Sequence, residues 1–125
     1  MKIDFNLVLG AEIPGFPKND FEAPDGSAGI MKIPMSIHIF EENGTLRGRF
    51  THPHWGESEA ADIIKTNSLL AFAAESGNDD KGGKPVYFDY VFSLSTETRN
   101  IVGFSAGRAP YFRSFLPVEG VITEN

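Results

Sequence analysis

The chain contains no cysteine. That single absence removes disulfides, thiolate zinc sites and cysteine nucleophiles, and leaves packing and hydrogen bonds to hold the fold. Long apolar runs are also missing. The longest, Leu69 to Ala74, falls far short of the roughly 20 residues that span a bilayer. The N-terminus, Met1-Lys2-Ile3-Asp4-Phe5, alternates polar with apolar residues where a secretory signal would be continuously apolar, which points to a cytoplasmic protein. Basic residues are scarce, with 11 Lys and Arg against 17 Asp and Glu and a net charge of −6. Such a balance argues against a polyanion such as DNA as the main partner and is compatible with a basic one. The run Gly103-Phe104-Ser105-Ala106-Gly107 has the Gly-x-Ser-x-Gly spacing but falls inside an expected strand, not at a strand-to-helix elbow, and there is no Asp-x-Asp calcium loop. The segment Gly77 to Lys84 does not make a phosphate loop either, because Lys84 is followed by Pro85 and leads into a strand.

What the chain does have is alternation. At 125 residues it is expected to form one domain that buries about two thirds of the surface of its unfolded chain. In Lys2 to Leu9, the residues Ile3, Phe5, Leu7 and Leu9 occupy every second position, the period of a half-buried strand. Ile33, Met35, Ile37 and Ile39 repeat the pattern and lead to Asn43-Gly44, whose tolerance of positive φ makes it a hairpin turn into Thr45–Phe50. Pro34 has no N–H to donate and belongs at an edge, a strand start or a bulge. Val86, Phe88, Tyr90, Phe92 and Leu94 mark a further strand, Ile101 to about Ala106 another, and Val118 to Ile122 a last short one.

Two stretches break the pattern. Residues 10–31 carry Gly10, Pro14, Gly15, Pro17, Pro24, Gly26 and Gly29, too many for a helix or a central strand, and read as a long loop holding Phe16 and Phe21. These rings either fold back over one end of the core or form a partner-binding arm. From Glu57 to Ser76 the apolar residues Ala60, Ile63, Ile64, Leu70, Ala71 and Ala74 fall at helical spacing, with acids in the first turn and Gly77 after the end. The spacing predicts one amphipathic helix. A shorter helix to Lys65, followed by a buried strand from Leu69 to Ala74, is the alternative that periodicity leaves open. The expectation is an α+β domain with about six mainly antiparallel strands, a partly open barrel or a sheet with one helix.

Two groups of side chains have chemical capacity. His52 and His54, two apart at a strand end, would project from one face, and Glu57 would add a carboxylate. Two His and one carboxylate suit a divalent metal with open positions. Pro53 between the two would disturb the strand, and the plainer reading is a polar turn with Trp55 over the core edge. The second group lies between Thr98 and Val118, which holds Arg99, Arg108 and Arg113 and no acid. Gly107 to Arg113 sets two guanidinium groups among Tyr111 and Phe112, a set that could clamp an anion, anchor an interface or pair with the chain's own carboxylates.

These features favour a small acidic binding protein over an enzyme, an inhibitor or immunity-like partner of a basic protein. Its contacts would be Phe16, Phe21, Arg108, Tyr111 and Arg113, and no cofactor is required. The competing reading is a metal-dependent or small-anion-binding enzyme in a β-barrel cup, with His52, His54 and Glu57 as ligands. A third, a ligand barrel without catalysis, would use the wall of Phe88, Tyr90 and Phe92.

Overall fold

A computed structural model describes residues 1–9, 31–53, 56–78, 85–95, 97–108 and 115–125. Of the expected loop from 10 to 31, residues 10–30, with Phe16 and Phe21, lie outside the described residues, and Met31 already belongs to a strand. His54, Trp55, Tyr111 and Arg113 also lie outside them.

All regular structure among the described residues is β. The strands are β1 (Lys2–Leu9), β2 (Met31–Glu42), β3 (Thr45–His52), β4 (Gly56–Glu59), β5 (Ala61–Lys65), β6 (Leu69–Asn78), β7 (Pro85–Leu94), β8 (Asn100–Gly107) and β9 (Phe115–Glu124). They form one antiparallel sheet in the order β4-β3-β2-β1-β9-β8-β7-β6-β5. Its two outer strands are consecutive in the chain and meet at Ala60. Residues 56–59 pair with β3, residues 61–65 pair with β6, and the Ala60 N–H donates to the Gly48 carbonyl at 2.8 Å. One bent strand thus brings the two edges together and nearly closes a barrel, which leaves little of the unpaired edge that open sheets expose. At this seam Gly48 and Ala60 are small for a steric reason: a Cβ on Gly48 would stand 3.0 Å from Ala60 Cβ and 3.1 Å from the Ile39 and Ile63 methyls.

The α+β expectation is therefore corrected. No helix forms over residues 57–76; this stretch makes β4, β5 and β6, and the described residues form nine strands, not about six. The helical spacing had two causes. Ala60 and Ile63 both face inward although three apart, because the ladder shifts register between Ala61 and Ile64 and Asp62 adopts φ 53°. A bulge of this kind imitates a helical step. In β6, apolar residues occupy both faces: Leu70, Phe72 and Ala74 point into the core, and Leu69, Ala71 and Ala73 point out. The polar Thr66-Asn67-Ser68 is the turn between β5 and β6, closed by Thr66 N–H to the Leu69 carbonyl at 2.8 Å and by Ser68 N–H to Thr66 Oγ1 at 3.2 Å. The buried strand of the alternative reading exists; the short helix before it does not.

Elsewhere the alternation is realised directly. Asn43 and Gly44 take φ of 52° and 79°, as a two-residue hairpin requires. Pro34 pairs with Asn6 on one side only, beyond the point where β3 pairing begins at Ser36. Inside the barrel, Phe5, Phe50, Phe72, Tyr90 and Phe92 are at most 2% exposed. Phe72 stacks on Tyr90 at 5.0 Å, and Phe5 meets Phe92 edge-on at 4.9 Å. With about eight strands a barrel interior is just wide enough for side chains to fill it, and this connected cluster of five rings does so here. Each such ring pair adds roughly 0.5–1.5 kcal/mol beyond the area it buries. No helix among the described residues is long and apolar enough to cross a membrane.

Candidate functional site

Antiparallel up-and-down order sorts the connections between the two ends of the barrel. The strand ends at positions 9, 31, 52, 56, 78, 85, 107 and 115 lie at one end and bound four connections, three of which carry Phe16, Phe21, His54, Tyr111 and Arg113. The opposite end has the Asn43-Gly44 turn, the Thr66–Ser68 turn, the connection after Leu94 and the strand ends near both termini. Candidate residues up to about a hundred positions apart in sequence are therefore rooted at a single end.

The structure divides the expected metal set. His52 follows Phe50 on the inner face of β3, is 8% exposed, and stands 6.5 Å from the Phe50 ring. Glu57 pairs with Thr51 on the outer face and lines a cleft of about 250 Å³ with Phe40, Arg47, Arg49, Ser58 and Glu59. His52 and Glu57 thus face opposite sides of the sheet. His38 is also on the outer face, registered with Lys2 and Arg49. Burial, and then the charges of Lys2, the N-terminus and Arg49, hold its pKa below the ordinary 6.5, with Glu124 opposing. No group of three or more His, Cys, Asp or Glu among the described residues is arranged to hold a metal ion; His54 lies outside them.

The arginine strip is divided as well. Arg99 and Arg108 flank β8 at its two ends, about 30 Å apart at ~3.3 Å per residue. Arg99 donates to the Ile122 carbonyl at 3.2 Å, at the end of the barrel where a cleft of about 510 Å³ runs past Lys65, Thr66, Asn67 and Thr98. Arg108 stands at the other end and is held by two carboxylates. Its Nη2 donates to Asp89 Oδ1 at 2.7 Å and Asp62 Oδ2 at 3.1 Å, while Nε donates to Asp89 at 3.0 Å. These bonds, to Asp89 first and then to Asp62, push the guanidinium pKa further up, so Arg108 is a fixed cation. The guanidinium thus ties the end of β8 to Asp89 of β7 and Asp62 of β5. Of the sequence alternatives for Arg108, pairing with the chain's own carboxylates is the one observed.

A feature that sequence reasoning passed over is the outer face of β5 to β9. Ile64, Ala71, Val91, Phe104 and Pro117 are cross-strand partners in turn and form one apolar row over five strands. Val102 and Val121 extend it, 62% and 39% exposed. The signal was present as Val91 in a polar slot of its strand, but only the register reveals that such positions align.

Compared with protein-family models, with curated proteins and with solved structures, the chain matches none.

Proposed function

We propose that this chain is a non-catalytic binding protein that engages another protein through the connections at one end of its barrel. The observation that carries the reading is topological: the segments holding Phe16, Phe21, Tyr111 and Arg113 are rooted together, at the end opposite the short turns. A rigid barrel that presents several connections from one end suits recognition, since the scaffold fixes where they start. The ring-filled interior agrees, because Tyr90 and Phe92 are core, not the wall of a ligand chamber. The net charge of −6 favours a basic partner through faster encounter, as in an inhibitor or immunity-like protein. Arg108, held by Asp89 and Asp62, belongs to the scaffold on this reading. The metal-enzyme alternative draws no support from Glu57, which faces away from His52.

The immobilised full chain tests this against lysate of its source cells, beside Phe16→Ala/Phe21→Ala and beside Lys65→Ala at the opposite end. The expected result is one protein retained by the wild type and by Lys65→Ala and lost from the double variant. Retention that all three share equally, or no specific protein at low salt, would sink the reading.

A further inference from the structure

At the barrel end opposite the one assigned above, the cleft of about 510 Å³ is bordered by Lys65, Thr66, Ser95, Thr98 and Arg99. Its volume is that of a small-molecule site. What sets it apart is the state of its cations. Lys2, Lys32, Arg47 and Arg108 are each paired with a carboxylate. Among the described residues, Lys65, Arg99 and Arg49 make no ion pair, and two of these three border the one cleft. Glu97 is the one acidic side chain there and is paired with neither, while Met1 and Asn125, which border it too, add no net charge. With two cations against one carboxylate, the cleft is locally positive in a chain of −6.

The neutral groups around it are donors. Ser95 Oγ accepts the N–H groups of Glu97 and Thr98, Thr66 Oγ1 accepts that of Ser68, and Thr98 Oγ1 accepts that of Asn100. Each hydroxyl thus spends its oxygen on the backbone and keeps its proton to donate. The backbone fixes these groups relative to one another. The Leu94 N–H donates to the Ser68 carbonyl at 2.9 Å, which joins the turn after Lys65 to the connection after Leu94, and the Ile122 N–H donates to the Arg99 carbonyl at 2.7 Å. Arg99 gives Nη1 to the Ile122 carbonyl and has its remaining N–H groups to offer. A phosphate group brings three strong acceptor oxygens and a charge of about −1.5 to −2 at neutral pH, which two cations and three hydroxyl donors match better than they match a carboxylate. We propose that this cleft binds a small phosphate oxyanion, free or as an ester, with Lys65 and Arg99 taking its charge and the hydroxyls of Thr66, Ser95 and Thr98 completing the contacts.

NMR titration of the isotope-labelled full chain with inorganic phosphate, at an ionic strength held constant with chloride, tests this. Saturable shifts are expected at the amides of Thr66, Ser95, Thr98 and Arg99, where chloride alone gives none. Lys65→Gln and Arg99→Gln should each raise the dissociation constant roughly fivefold or more. Arg49→Gln removes the third unpaired cation, which lines a separate cleft, and should change it by less than about twofold, the effect of net charge alone. Circular dichroism confirms that each variant is folded, and Lys65→Gln carries the comparison if Arg99→Gln, which loses its bond to the Ile122 carbonyl, is not. Phenyl phosphate in place of phosphate separates the two sources: tighter binding supports an ester, equal binding a free phosphate. Shifts that never saturate, the same response to chloride, a dissociation constant that Lys65→Gln leaves unchanged, or an equal loss from Arg49→Gln overturns the inference. None of these outcomes bears on partner binding at the other end of the barrel, which Phe16→Ala/Phe21→Ala reports separately.

Discussion

The outer surfaces of the two halves of the barrel differ far more than their inner surfaces do. On β1 to β4 the outward positions hold Lys2, Asp4, Arg47, Arg49, Glu57 and Glu59, laced by ion pairs such as Arg47 with Glu59 at 2.5 Å. On β5 to β9 the same parity holds Ile64, Ala71, Val91, Val102 and Phe104. The inward positions are equally apolar in both halves. Folding constrains the inner face, because a one-residue slip would turn the core outward; it leaves the outer face open. The charged half is what a solvated sheet requires, whereas on the other half the apolar residues stand among Asp89, Ser93, Asn100 and Glu119.

The largest effect should come from the part the halves share. Phe72→Ala removes a ring that stacks on Tyr90, and a fully buried aromatic costs about 3–5 kcal/mol. Urea unfolding followed by circular dichroism should show a lower midpoint but still one transition; two transitions would mean that the halves unfold separately. Gly103→Ala strikes the apolar half alone. Its Cβ would collide with the Val91 carbonyl, and overpacking of this sort costs roughly 1–3 kcal/mol. Ser36→Ala on the polar half should stay within about 0.5 kcal/mol. Equal losses would remove backbone crowding at the β7–β8 pair as the cause.

Smaller effects sharpen the role of charge. Arg47→Ala and Arg108→Ala should each cost at most about 1 kcal/mol, since their side chains are 41% and 44% exposed. Both losses should shrink in molar salt. A loss well above that for Arg47 alone would show that ion pairs, not the core, hold the polar half.

The smallest expected effect is that of His38. Its lowered pKa means that the unfolded chain binds the proton more readily than the folded one. Stability is therefore complete above pH 6.5 and declines as the pH falls from there through the lower folded value. A titration of His38 by NMR should give a midpoint below 6.5, and His38→Gln should flatten that part of the stability profile. A midpoint at or above 6.5 would remove burial and the neighbouring cations as the cause.

Much of this was legible locally. The β1 alternation, the Asn43-Gly44 hairpin and the Val86–Leu94 strand needed no distant information, because period and turn chemistry act over a few residues. Residues 57–76 were misread for the opposite reason. Ala60 and Ile63 are set by a bulge, and a bulge follows from how β5 meets β6 and β3, not from β5 itself. The candidate site was legible only as residue types. That His52 and Glu57 point to opposite faces depends on the register of β3 and β4, and that Arg108 is held depends on Asp62, 46 residues away.

The sequence by itself determined the absence of thiol chemistry, the acidic charge, the β-rich character and most of the inward-facing residues, since each depends on composition or on neighbours one and two positions apart. The tertiary structure alone decided the closure at Ala60, the engagement of Arg108 and the apolar row on the outside of β5 to β9. Each of those needs strands distant in sequence to lie about 5 Å apart, and only the paired sheet sets which residues then stand side by side.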